Sequence, residues 1–296
     1  MQLLSIGALE DIEIIYDKLK SNVDFLEDRG IKLIISRSDI SNVKFLNCSI
    51  GKNTRVSVDT LNLIRFYIAN IISDVIVSHQ ERKLVNKLIN KYYNYLSLED
   101  KNRLFDKAVK NLQREGNRES LNILDKSDIF FYIYDFLKTN DIFILEGFIT
   151  FRLKEYIKQL CDVVDKSVDE LIMEKEYDEF IKLLKYFVDV QEPKIDTIHL
   201  IFEDKDKYTI LDDRKKSLEK DIFYDLNFEI IEGELTCDDI LISTLISIAP
   251  QRIYLHNCSI YNNAEIIETI KNVFGDKVKI CSGCEICSSK VKVKKE

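Results

Sequence analysis

Cys281, Cys284 and Cys287 stand at two-residue gaps in the segment Cys281-Ser282-Gly283-Cys284-Glu285-Ile286-Cys287. A tight turn lets both sulfurs of a Cys-x-x-Cys pair face inward, so three thiols at this spacing can converge on one ion. Four soft ligands suit tetrahedral zinc or an iron–sulfur cluster. A fourth ligand is required, and four of the seven cysteines fall in the last 39 residues, which singles out Cys258. The competing readings of the same thiols are unligated cysteines in a C-terminal turn, or a reversible disulfide between Cys281 and Cys284 in a thiol-redox protein.

The elements around these cysteines predict how they meet. Arg252 to His256 and Val278 to Ile280 read as strands, with a helix from Ala264 to Phe274 between them, closed by Gly275. Such a strand-helix-strand unit normally places its strands parallel in one sheet. Cys258 and Cys281 would then leave the same edge of that sheet, about 5 Å apart if the strands are neighbours. His256 is the weaker alternative, because it lies within the strand. Upstream, Thr236 with Asp239 forms a capping box for a helix running to Ile248, which Pro250 stops. Ile195 to Phe202 and Tyr208 to Leu211, joined by the charged turn Glu203–Lys207, carry a hairpin signature.

The rest of the chain predicts a different composition of elements. The first fifty residues read as β-α-β-β: Leu3–Ile6, a helix carrying Ile12, Ile15, Leu19, Val23 and Leu26 with Gly30 as its stop, then Ile31–Ser36 and Val43–Cys48. From about Val56 to Val190 apolar residues recur at helical spacing throughout, with a register change near Ser78 and a capping box at Ser97 and Asp100. The expected fold is therefore α+β. Residues 1–52 form an N-terminal βαββ unit and 53–192 a large central all-helical block. Residues 193–287 form a C-terminal α/β unit with the cysteine cluster, and 288–296 a basic tail.

Composition bounds the function. With 296 residues, 46% hydrophobic, the chain can bury a large core, and only 8 Gly and 2 Pro interrupt it, which favours long helices. The net charge of −8 opposes nucleic-acid binding. No basic segment precedes an apolar run at the N-terminus. The apolar stretch Ile64–Val77 carries Arg65 and Asp74, so no membrane insertion is expected. An odd number of cysteines in a chain this large suits free thiols in the cytoplasm.

Motifs for catalysis are missing. The sequence has no Gly-x-Gly-x-x-Gly, P-loop or Gly-x-Ser-x-Gly. His79-Gln80-Glu81 with Cys281-x-x-Cys284 resembles the paired elements of zinc deaminases, but Ile280 replaces the proline and the separation is about two hundred residues, so that reading is rejected. His199 reads as an ordinary strand residue. Asp212-Asp213 reads as a turn and Asp238-Asp239 as a helix start.

Three segments carry a resemblance. They are Glu146-Gly147-Phe148-Ile149-Thr150-Phe151-Arg152-Leu153; Met173 to Phe180 running on through Tyr186-Phe187-Val188-Asp189-Val190-Gln191-Glu192-Pro193-Lys194; and Asp238-Asp239-Ile240-Leu241-Ile242-Ser243 with Ile248-Ala249-Pro250. Together they resemble the YtxC family of endospore-forming bacteria. That resemblance implies a sporulation protein of unknown biochemical activity, with no catalytic residues to carry over. The leading expectation is a non-catalytic cytoplasmic protein that binds a protein partner. The alternative is a zinc, iron–sulfur or thiol-redox protein using Cys258, Cys281, Cys284 and Cys287.

Overall fold

The computed structural model describes residues 2–51, 57–113, 123–204, 207–218, 236–258 and 264–288. Three features of the sequence lie outside them: the polar break Glu115–Glu119 in the helical pattern, all but the first three residues of Lys216–Gly233, where the pattern fits a helix or a helix plus a strand, and the lysines of the basic tail. The chain is α+β and divides into two compact units, Met1–Ile172 and Met173–Glu296.

In the first unit, β1 (Gln2–Ala8) lies between β3 (Val43–Ile50) and β4 (Ile142–Ile144), and β2 (Leu33–Ile40) forms the outer edge. The β1–β3 and β2–β3 pairs are antiparallel; β1–β4 is parallel. Leu4, Ile6 and Ala8 alternate into the core, as a half-covered strand requires. The edge strand β2 exposes Arg37, Ser38 and Asp39, polar groups that discourage further pairing. Gly7 faces Phe45 across the β1–β3 pair. A Cβ there would come within 2.7 Å of the Phe45 ring, so the close pairing requires glycine.

The helices of this unit are α1 (Ile12–Ser21), α2 (Asp24–Glu27), α3 (Val58–Val75), a π-helical turn (Ile76–Gln80), α4 (Glu81–Tyr92), α5 (Leu98–Gln113), α6 (Lys126–Thr139), α7 (Leu145–Arg152) and the start of α8 (Lys154–Val190). Two sequence expectations change here. The predicted single helix over residues 12–26 breaks after Ser21 into α1 and α2. The stretch read as uninterrupted helix contains β4, because Ile142-Phe143-Ile144 finds hydrogen-bonding partners on β1. The register change near Ser78 corresponds to the π-helical turn, where the wider winding rotates the apolar face.

One core joins the N-terminal sheet to the helices: Ile6, Ile15, Ile68, Ile72, Ile133, Phe143 and Leu160 all belong to it. The packing therefore groups the βαββ elements with most of the helical block. The run Val58–Tyr92 is long and apolar enough to cross a bilayer by length and composition, with half of its most apolar window buried. Ile64, Ile68, Ile72, Val75 and Ile76 are fully or almost fully buried in that same core.

Asp11 ties the π-helical turn to the end of β1. Its backbone is left-handed, with φ 59°. Its carboxylate accepts from Gln80 Nε2 at 2.6 Å, from Lys83 Nζ at 2.6 Å and from His79 Nε2 at 3.2 Å. Burial alone would raise its pKa, but Lys83 and His79 outweigh that and hold it below 3.8. A lowered carboxylate pKa contributes stability that is full above the unfolded value and fades as pH falls through the folded one. Asp11→Ala should therefore cost about 1–3 kcal/mol at neutral pH, the loss expected when charged hydrogen bonds are removed and the buried Gln80 amide loses its acceptor. The difference from wild type should shrink below pH 3.8. Urea titrations at pH 7 and pH 3 check both; equal losses at the two pH values would contradict the assignment.

In the second unit the strand order is β6 (Lys207–Asp212), β5 (Ile195–Asp204), β7 (Pro250–His256), β8 (Val278–Ile280). β5–β6 is the expected antiparallel hairpin, while β5–β7 and β7–β8 are parallel. One face of the sheet packs on α9 (Cys237–Ile248), α10 (Ala264–Phe274) and the last turns of α8. The core there includes Ile198, Leu200, Leu241, Leu245, Ile253, Leu255, Ile270 and Val188. The Thr236/Asp239 capping box is formed, and these hydrogen bonds from Thr236 hold the Asp239 pKa below its ordinary value. Ala249, left-handed at φ 44°, then ends α9 ahead of Pro250. The opposite face of the sheet carries a smaller apolar cluster of Ile201, Leu211 and Ile286, with Cys284 packed against it.

Candidate metal centre

Strand alternation sets the site. Ile253 and Leu255 of β7 face the helices, so Tyr254 and His256 face the other way. In the parallel register Leu255 pairs with Ile280. The Cys281 amide donates to the Leu255 carbonyl at 2.9 Å, which carries the ladder one step further and sets Cys281 beside His256. Gly283, at φ 132°, then turns the chain in a conformation that side chains strain. The short helix α11 (Glu285–Ser288) follows, placing Cys287 one turn beyond Cys284. Ile286 fastens that turn by burying itself against Ile201 and Leu211.

The ligand atoms of His256, Cys281, Cys284 and Cys287 all lie within 4.8 Å of one another. Cys287 Sγ is 3.8 Å from both Cys284 Sγ and Cys281 Sγ. His256 Nδ1 is 3.4 Å from Cys287 Sγ and 3.5 Å from Cys284 Sγ. A tetrahedral ion with bonds of about 2.3 Å to sulfur and about 2.0–2.1 Å to nitrogen has sulfur–sulfur edges of about 3.8 Å and sulfur–nitrogen edges of about 3.5–3.6 Å. Four of the six separations match those edges, and the remaining two lie within 4.8 Å.

The protonation chemistry is compatible with ligation. His256 is 2% exposed; burial, then His199, lowers its pKa, which favours the neutral imidazole that metals require. The backbone amide of Cys287 is the main influence holding the Cys284 thiol below its ordinary pKa. The Gly283 amide donates to Cys281 Sγ at 3.4 Å and favours the Cys281 thiolate. Partial burial and the neighbouring sulfurs of Cys284 and Cys287 outweigh that, leaving its pKa raised.

The structure groups His256, and not Cys258, with the three tail cysteines. Asn257 adopts the left-handed conformation, φ 59°, so the extended alternation that would have kept residue 258 on the face of 256 ends there. Cys258 packs against the helix-side core instead, and burial raises its thiol pKa. His256 takes the place expected for it. Its signal in the sequence was its position at the last residue of β7, in register with Cys281 one step past Ile280.

The remaining motifs have structural partners. His79 and Gln80 bind Asp11, and Glu81 is buried with the Tyr156 hydroxyl. Asp212 Oδ1 accepts the amides of Arg214 and Lys216 in a turn. His199 is no ligand of the cluster; its Nδ1 lies 3.0 Å from His256 Nε2. Cys48, Cys161, Cys258, Cys281, Cys284 and Cys287 take part in no disulfide.

Fold and site together define an α+β protein of two compact units, with a group of one histidine and three cysteines at the edge of its second sheet. The chain belongs to the YtxC-like family, which it matches over residues 66–279. It is 25% identical over 273 residues to the uncharacterized protein YtxC of Bacillus subtilis (strain 168), covering 91% of this chain and 93% of that relative. No solved structure matches it. The family match takes in His199 and His256 but ends before Cys281, so the metal reading rests on the geometry of this chain.

Proposed function

We propose that this protein binds one zinc ion through His256 Nδ1 and the thiolates of Cys281, Cys284 and Cys287, and that the ion staples the C-terminal segment to the second sheet. The observation that carries the reading is the agreement of four of the six interligand separations with the edges of one tetrahedron, the other two lying within 4.8 Å. It favours a single ion over an iron–sulfur cluster, because a cluster divides its four ligands between two or more iron atoms, so they cannot all stand within 4.8 Å of one another. Mixed nitrogen and thiolate ligands in tetrahedral array suit zinc.

Four protein ligands close such a site, leaving no open position for a substrate, which supports a structural, non-catalytic role. Free thiolates suit a reducing, cytoplasmic compartment. Binding of a protein partner in endospore formation, which the family resemblance implies, belongs to the same proposal. The exposed Met173, Phe180, Leu183 and Phe187 on α8 support it, since large exposed apolar patches commonly mark interaction surfaces.

Anaerobic purification followed by elemental analysis tests the zinc reading. One equivalent of zinc per chain, in a protein without visible absorption, is expected. Substoichiometric zinc and iron would overturn it, and a brown protein with several iron atoms per chain would assign a cluster instead.

A further inference from the structure

We infer that His199 is the positioning residue of the metal centre: by accepting a hydrogen bond at Nδ1 it fixes His256 in the tautomer that presents Nδ1 to the ion. This rests on the zinc reading above and adds to it a fifth residue that touches no metal.

An imidazole coordinates through the nitrogen that carries no proton. His256 Nδ1 is the atom near the sulfurs, at 3.4 Å from Cys287 and 3.5 Å from Cys284. Coordination there puts the remaining proton of the neutral ring on Nε2. Nε2 lies 3.0 Å from His199 Nδ1, and two N–H groups cannot face each other at that distance. His199 must then accept at Nδ1 and carry its own proton on Nε2. The tautomers of both rings follow from the position of the ion.

Placement makes this partnership specific. His199 sits on β5 beside Tyr254 of β7, and Ile201 sits beside His256. His199 therefore reaches His256 diagonally from the neighbouring strand. Its ring stacks on Tyr254, with centroids 5.4 Å apart and planes 21° apart, which holds the plane in which its Nδ1 lone pair lies. His256 is almost fully buried, so water is a poor substitute for the missing acceptor. Outer-sphere partners of this kind orient ligating histidines and raise their basicity.

The test compares wild type, His199→Ala and His199→Asn, the last placing an amide oxygen near the position of Nδ1. Zinc affinity is measured by competition with a chromophoric chelator, and the nitrogen states of His256 by 15N-histidine NMR on the zinc-loaded full chain. His199→Ala should bind zinc about 10–100-fold more weakly, with faster solvent exchange of the His256 Nε2 proton, and His199→Asn should recover most of the affinity. The inference is overturned if His199→Ala binds within twofold of wild type, if alanine and asparagine are equally impaired, or if wild type shows a metal-bound Nε2. Wild type that takes up no zinc overturns the metal reading itself, and this inference with it.

Discussion

Cys287→Ser is expected to abolish stoichiometric zinc binding and to free residues 281–288 from the second sheet. Cys287 is the hub of the group, since its sulfur lies within 3.8 Å of Cys281 Sγ, Cys284 Sγ and His256 Nδ1 alike. Beyond the β7–β8 ladder and half-buried Val278, the segment it anchors has little else to hold it. β8 is three residues long and mostly exposed, α11 has four residues, and among their described side chains Ile286 is the buried apolar one. The larger core of the second unit lies on the other face of the sheet and does not use the cluster. Loss of the ion should therefore release the segment without unfolding the unit. An ion that binds the folded state alone stabilises it by about 4 kcal/mol when free zinc is a thousandfold above Kd. Hydrogen exchange should show rapid exchange at Cys281 and beyond in Cys287→Ser. A strong chelator should lower the thermal transition of wild type towards that of the variant and leave the variant unmoved. Identical melting of wild type with and without chelator would remove the staple from the account.

Which parts of this were legible before the structure depends on how local their causes are. The three cysteines, their turn glycine and the neighbouring parallel strands follow from spacing and from the strand-helix-strand rule, and β7–β8 pairs as expected. That His256 and not Cys258 joins the group did not follow, because it depends on one backbone conformation, that of Asn257. A left-handed asparagine is a local choice that the surrounding sequence does not announce. The role of His199 was out of reach for another reason: its partner is 57 residues away, and only the β5–β7 register brings them together. β4 hid inside a helical pattern because three apolar residues fit either structure. The hydrogen bonds that decide between them come from β1, more than a hundred residues earlier. The π-helical turn was visible as a slip in periodicity, while its geometry was not.

Phe143→Ala is the second large effect expected, and it asks whether β4 belongs to the sheet. Phe143 pairs with Ile6 across the parallel β1–β4 contact and is fully buried. Its ring lies 4.9 Å from Phe148 and 6.0 Å from Phe136, centroid to centroid, so β4, α6 and α7 meet at this side chain. Truncation to alanine removes that contact and leaves a cavity that three separate elements would have to collapse to fill. Such changes cost about 3–5 kcal/mol. Phe151 on the neighbouring helix is 71% exposed and serves as the internal comparison: Phe151→Ala should stay within about 0.5 kcal/mol of wild type. Phe143→Leu, which restores most of the volume, should recover a large share of the loss. Chemical denaturation of the zinc-loaded protein measures all three. Zinc affinity should be unchanged throughout, because Phe143 and the cluster belong to different cores. A Phe143→Ala variant as stable as Phe151→Ala would mean that residues 142–144 do not pack as a strand beside β1, and that the first sheet ends at β1 itself.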